Sequence, residues 1–162
     1  MNDERQVEEK HFAEEVGLFF EQSGMPRMAG RILGWLLISD PPHQTTGELS
    51  EALMASKGSI STMTRLLIRI GLIERISLPG QRRDCFRFKP GAWHQLFKES
   101  LVQTTSARQL AEHGLELLEG KTHVNRQWLE EMRDMYAFLE REFPALVERW
   151  EQVRKRGELP VR

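Results

Sequence analysis

A chain of 162 residues suffices for one domain with a real core, or for one small module carrying extra helices, and two independent domains would be cramped. Its 40% hydrophobic and 29% charged residues are the proportions of an ordinary soluble globular protein, which excludes disorder. A net charge of -1 excludes a protein that coats nucleic acid indiscriminately, because such binders carry cations nearly everywhere. The lone cysteine, Cys85, rules out an intramolecular disulfide framework and fits a reducing compartment. MNDERQVEEKHF contains no apolar export signal, and the apolar run Ile32 to Ile38 is too short to cross a bilayer, so the expectation is a cytoplasmic protein with no membrane partner.

Residues 3 to 22 predict an acidic amphipathic helix, with Phe12, Val16, Phe19 and Phe20 at helical spacing and Ser23-Gly24 as its end. A second helix is predicted from Pro26, which suits a first turn, through Ile32, Leu33, Leu36 and Leu37 to Ser39. Asp40, Pro41 and Pro42 break it. Thr45 with Glu48 three residues on is a capping box opening a short helix that turns Leu49, Ala52 and Leu53 inward. After Met54 comes a turn, and Ser56 caps a helix running to Ile70, with Gly71 as its C-terminal cap and Ile60, Met63, Leu67 and Ile70 facing inward.

Ile73 to Leu78 and Asp84 to Lys89 predict two strands joined by a type II turn at Pro79-Gly80, with Gln81, Arg82 and Arg83 exposed. From Gly91 onward the pattern is helical: Trp93 to Leu118, then roughly Val124 to Phe143, with Pro144 allowing a third helix to restart. Gly120 separates the first two. An apolar series including Leu101, Leu110, Leu115, Trp128, Met132, Leu139 and Trp150 exceeds what one small module can cover, so part of it is expected to face another subunit.

The polar faces left over carry the functional signal. Residues 56 to 89 hold eight basic side chains (Lys57, Arg65, Arg69, Arg75, Arg82, Arg83, Arg87, Lys89) against two acidic ones (Glu74, Asp84), a net of plus six that leaves minus seven for the rest. A helix entering a major groove shows short polar side chains near its N-terminus and longer cations further along. Ser56, Lys57, Ser59, Ser61, Thr62, Arg65 and Arg69 follow that order, and Arg65 is the candidate for direct base readout, since an arginine pairs with both guanine acceptors. Thr45 and Thr46, opening the preceding helix, are candidates for phosphate contact. Arg75 with Gln81, Arg82 and Arg83 makes the hairpin a wing for the minor groove, with Asp84 read as orienting an arginine. A solvated helix face and a solubilising turn are the plain alternatives, and the ordered combination of both elements favours double-stranded DNA as partner.

FAEEVGLFFEQSGMPRMAGRILGWLLIS, TTGELSEALMASKGSISTMTRLLIRIGLIER, PGQRRDCFRF and LEEMRDMYAFLEREFPALVERW together resemble the GbsR-like branch of MarR-type winged-helix transcriptional regulators. The resemblance covers most of the chain. It implies a mainly α fold with a small β-hairpin wing: an N-terminal dimerisation helix (1–23), a winged helix-turn-helix DNA-binding domain (24–90) and a C-terminal helical dimerisation region (91–162). It further implies a homodimer on a palindromic operator, repression as the commoner mode, and an unidentified small-molecule effector. Some members of the branch are associated with choline-like osmolytes, which suit aromatic cages, although Trp35, Trp93, Trp128 and Trp150 each sit in an apolar series that core or dimer packing explains.

Other classes have weaker support. Gly120-Lys121-Thr122 resembles the end of a P-loop, but Gly114 is one residue too far upstream and a helix precedes it. Neither G-x-S-x-G nor G-x-G-x-x-G occurs, so no enzyme and no cofactor is expected. The five histidines lack ligand spacing, and no metal is expected. Cys85 stands open between a redox sensor, its thiolate favoured by nearby arginines, and a small strand residue. The alternative function is a winged-helix adaptor whose basic face meets an acidic protein.

Overall fold

The computed structural model describes residues 2–157, with Asn2 and Asp3 described for their backbone alone. Met1 and residues 158–162, which belong to the expected regions 1–23 and 91–162, lie outside the described residues. The chain divides between Ala92 and Trp93 into two compact units. The first contains helices α1 (Asn2–Gln22) and α2 (Arg27–Ile38), strand β1 (Gln44–Thr45), helices α3 (Thr46–Ala52) and α4 (Lys57–Arg69), and strands β2 (Ile73–Ile76) and β3 (Cys85–Phe88). Helices α5 (Ala92–Leu117) and α6 (Gln127–Arg156) form the second. Among the described residues no helix is long and apolar enough to cross a membrane.

Small residues set the packing of α1 on α2. A Cβ added at Gly34 would stand 2.9 Å from the Ala13 Cα, and one at Gly30 would stand 2.8 Å from the Gly17 Cα, so the two backbones meet directly. Ala13, Gly17 and Phe20 are consequently the buried positions of α1, while Phe12 and Phe19, whose helical spacing left them open between the core and a dimer interface, are 38% and 64% exposed. The glycines admit only the small stripe of α1 and leave the flanking rings outside. α2 lies one residue inside its expected bounds at either end, with Pro26 and Ser39 as its caps.

Local chemistry then shapes the helix-turn-helix. Thr45 closes the expected capping box: its N–H donates to Glu48 Oε2 at 2.6 Å, and its Oγ1 accepts from the Glu48 N–H at 3.2 Å. These bonds, the backbone one foremost, hold the Glu48 carboxyl below its ordinary range. The C-terminus of α3 ends in a Schellman motif, with the Ala55 N–H bonded to the Ser50 carbonyl and the Met54 N–H to the Glu51 carbonyl. The left-handed position of that motif falls on Met54, at φ +49°, where glycine is usual; the equivalent position after α4 is Gly71, at φ +78°.

Ser56 caps α4 by accepting from the Ser59 N–H at 3.1 Å. Ile60 and Leu67 are fully buried as expected, but the third buried position is Thr64, with Met63 and Ile70 only half-buried. The Thr64 hydroxyl donates to the Ile60 carbonyl at 2.9 Å, which satisfies it without water and lets it enter the core.

The expected two-stranded hairpin is part of a three-stranded antiparallel sheet of order β1-β3-β2. β1 pairs Gln44 with Phe86 and Thr45 with Cys85. Two residues beside a proline pair carry no period-2 signal, which hid this strand from the sequence. β2 and β3 are shorter than expected, but Gly80 at φ +80° and the Gln81 N–H bonded to the Leu78 carbonyl are what a type II turn requires.

In the second unit, Gly120 at φ +73° follows α5 as expected. Pro144 does not restart a helix. It lies inside α6, which runs unbroken for 30 residues, because a proline removes one rung of the ladder and the rest of so long a helix survives it. α5 and α6 meet where the Leu129 side chain approaches Gly114, and where Glu140 accepts from the Thr105 hydroxyl and the Arg108 guanidinium. Among the described residues of α6 none is fully buried, and Leu110, Trp128, Phe138 and Leu146 are each more than half exposed.

Three substitutions test these contacts. Gly34→Ala is expected to destabilise by about 1–3 kcal/mol, and Met54→Gly to stabilise by about 0.5–1 kcal/mol, both read as shifts of the urea midpoint. Thr45→Ala is expected to cost about 1 kcal/mol at neutral pH. Because the folded Glu48 carboxyl titrates low, its contribution is complete above the ordinary carboxylate range and is lost as pH falls through the lowered folded value. A pH series of melts should therefore show the wild-type advantage over Thr45→Ala shrinking in acid.

Candidate nucleic-acid interface

The polar face of α4 is presented because the opposite face is anchored on the core. Lys57, Thr62, Arg65 and Arg69 are exposed, while Ser59 and Ser61 are half-buried. Ser56 and the Ser59 N–H are engaged in the cap. Arg65 Nη2 lies 3.5 Å from Thr62 Oγ1, one turn earlier on the same face.

Cations of the wing divide into two kinds. Arg75 pairs with Asp84 at 3.5 Å and stacks on Phe86, its guanidinium carbon 5.9 Å from the ring centroid, while Ser77 Oγ donates to the same carboxylate at 3.1 Å. Asp84 thus orients an arginine. Arg87 is tied to Glu74 at 2.7 Å. Lys57, Arg65, Arg69, Arg82 and Arg83, in contrast, make no ion pair among the described residues, and each is exposed. Lys89 is a sixth exposed cation of residues 56–89 with no ion pair among the described residues, and the other five are those whose positions the sequence nominated on the recognition face and the wing tip.

Two clefts gather these groups. One, of about 390 Å³, is lined by Thr45, Thr46, Lys57, Ser61, Arg65, Arg75 and Arg83, so α3, α4 and the wing contribute to one surface. Its neighbour, of about 710 Å³, adds Gln81 and Arg82 and again includes Lys57 and Arg83. Ser56, Ser59, Thr62 and Arg69 line neither; Arg69 sits in the last turn of α4.

Sequence reasoning missed the acidic wall of the larger cleft, formed by Glu48 and Glu51. The Thr45-to-Glu48 spacing was the available signal. It also implied that the Thr45 N–H and the Glu48 carboxylate engage each other, which removes that N–H from phosphate contact.

Cys85 is 1% exposed and its thiol donates to Gln81 Oε1 at 3.3 Å. Burial first, then the carboxylates of Glu48 and Asp84, push its pKa up. Of the two readings left open for Cys85, this geometry favours the small strand residue, because the thiol is shielded and its pKa is raised, not lowered. Gln81 is otherwise exposed at the wing tip. Of the tryptophans, Trp35 donates Nε1 to Gln44 at 3.4 Å, and Trp150 lines an apolar cleft of about 360 Å³ with Phe97, Leu146 and Val147 in the second unit. Among the described residues no group of three or more His, Cys, Asp or Glu is placed to hold a metal ion.

Comparison with known proteins places the chain in a family. Residues 23–84 match the model of the MarR family, and residues 91–154 match that of MmpR5-like MarR family transcriptional regulators. The chain is 42% identical over 129 residues to the HTH-type transcriptional regulator MmpR5 of Mycobacterium tuberculosis, covering 80% of this chain and 78% of that protein. It is 33% identical over 78 residues to the HTH-type transcriptional repressor OpcR of Bacillus subtilis, covering 48% of this chain and 42% of the repressor. A crystal structure of a transcriptional regulator superposes with a TM-score of 0.75 at 39% identity, over 90% of this chain and 99% of the other. The chain belongs to the MarR family and is a winged-helix, DNA-binding transcriptional regulator of the MmpR5-like kind.

Proposed function

We propose that the protein is a homodimeric repressor acting in the cytoplasm on a palindromic operator, each protomer laying α4 in a major groove and its wing against the adjoining minor groove. The observation that carries this reading is the set of exposed, unpaired cations on α4 and the wing tip, beside Arg75 and Arg87, which are neutralised by Asp84 and Glu74. A cation already paired within its own chain gains less from a phosphate, so the unpaired ones mark the face turned to DNA.

Within this reading Arg65 reads a base edge, with Ser61 and Thr62 beside it, and Ser56, Ser59, Lys57 and Arg69 line the approach to the groove. Arg82 and Arg83 enter the minor groove, with Gln81 beside them, while Arg75 holds the wing in shape. Thr45 being engaged in its capping box, phosphate contact at that edge falls to Thr46 and Lys57. Half-sites about 10 base pairs apart, or a multiple of that spacing, match two recognition helices on one face of the duplex. OpcR is a repressor, which supports repression here.

The apolar exposure of α1 and α6 supports dimerisation through the N- and C-terminal helices, and the segments quoted above support placement in the GbsR-like branch. No catalytic role enters this reading, and an unidentified small-molecule effector completes the partners.

Two measurements test it. Across duplexes carrying single-base changes, Arg65→Ala is expected to lose about 1–3 kcal/mol of binding and to relax preference at one position, whereas Lys57→Ala weakens all sequences alike and lowers the salt dependence. Identical profiles for the two variants contradict the assignment. Light scattering at micromolar concentration is expected to give the mass of a dimer, and a clean monomer contradicts that part.

A further inference from the structure

The least exposed of the ion-paired arginines in the first unit belongs to neither α4 nor the wing. Arg31, on α2, has a side chain only 21% exposed, and its guanidinium reaches three elements. Its Nε lies 2.7 Å from Glu14 Oε2 on α1, an ion pair whose N–H is not aligned for a hydrogen bond. Its Nη2 donates to the Leu53 carbonyl at 2.8 Å, and its Nη1 lies 3.8 Å from Met28 Sδ. Glu14 is also bonded to Arg27. Leu53 is the C-cap of α3, and the turn it opens leads through Met54, in the left-handed region, to Ser56, the N-cap of α4.

The path of this side chain is built into the helix packing. A Cβ at Gly17 would stand 2.7 Å from the Arg31 Cγ, close to the backbone end of the side chain, so Arg31 passes α1 only because residue 17 has no side chain. Only a guanidinium suits the position, since its separate N–H groups, fixed in one plane, serve a carboxylate on one side and a carbonyl on the other; an ammonium has the charge without that geometry.

We propose that Arg31 is a positioning residue for DNA recognition: gripped by Glu14 of α1, it holds the Leu53 carbonyl and so sets the direction in which α4 leaves the turn. The proposal rests on the reading of α4 as the recognition helix. The turn needs such a hold, because a non-glycine residue in the left-handed region is disfavoured and the turn's own hydrogen bonds are local. A consequence is that a displacement of α1 is passed to the start of α4 through two side-chain contacts.

The test uses the full chain and the duplex that the wild-type protein enriches from a random pool. Dissociation constants are measured for wild type, Arg31→Lys, Glu14→Gln and the double variant, under conditions where circular dichroism shows each to be folded. Arg31→Lys is expected to bind on the order of tenfold more weakly, and Glu14→Gln about threefold. The double variant is expected to bind no more weakly than Arg31→Lys, because both changes break one strut. Amide exchange at Met54 to Lys57 should quicken in Arg31→Lys.

A purely structural role would lower the melting temperature and leave the affinity of the folded protein unchanged, and that result overturns the proposal. Should Arg31→Lys not fold, an unchanged affinity in Glu14→Gln overturns it equally. Wild-type protein that binds no duplex contradicts the DNA reading itself, whereas wild-type binding with an indistinguishable Arg31→Lys contradicts the strut alone.

Discussion

A helix can offer a polar, cationic face to a ligand only if its other face is buried firmly enough to hold it still. In this protein α4 satisfies that constraint with a narrow stripe, Ile60, Thr64 and Leu67, packed against α2 and α3 and continued by Leu72 and Ile73 into the sheet. Full burial of an aliphatic side chain contributes about 1.5–3 kcal/mol, whereas the exposed cations Lys57, Arg65 and Arg69 stay hydrated at little cost, so the stripe alone can hold the helix. α2 in turn is set by the glycine contacts with α1, and the recognition surface therefore depends on small residues some distance from it.

Charge is allocated with the same economy. The wing carries Arg75 and Arg87 in ion pairs that brace the two strands, whereas Arg82 and Arg83 at the turn make no ion pair among the described residues. The exposed pairs contribute little to stability, but they keep those side chains from competing for phosphate. Glu48 and Glu51 line the cleft that also holds Arg82 and Arg83, placing negative potential beside the cations proposed to meet DNA. Such a mixture suits selective binding, since a uniformly cationic surface would hold every duplex alike.

The parts of this fold legible in the sequence were those governed by short-range rules. The Thr45–Glu48 box, the Ser56 cap, the Gly71 and Gly120 helix ends and the Pro79-Gly80 turn all depend on residues within a few positions of one another. What escaped was set by distant partners. The helical period of Phe12 and Phe19 did not say whether they enter the core, and they lie outside it because the glycines of α2 chose Ala13 and Gly17 as neighbours. Thr64 entered the core because its hydroxyl found the carbonyl of Ile60. β1 needed Phe86 and Cys85 as partners before it existed as a strand. In the candidate site, residue types and order identified the cations, but which of them were free and which were paired depended on side-chain geometry across the hairpin.

Among the described residues, large apolar side chains remain exposed along α1, α5 and α6, and a symmetric partner accounts for such faces better than solvent does. Two copies would set two α4 helices at a fixed separation, which turns a loose preference for bases into recognition of a spaced repeat. The most direct test is selection of bound sequences from random duplex DNA at near-physiological salt. An enriched inverted repeat, its half-sites about one helical turn or a multiple of it apart, is the expected result. No enrichment, with binding that disappears as salt rises, would contradict the account and leave the basic face as a surface for an acidic protein.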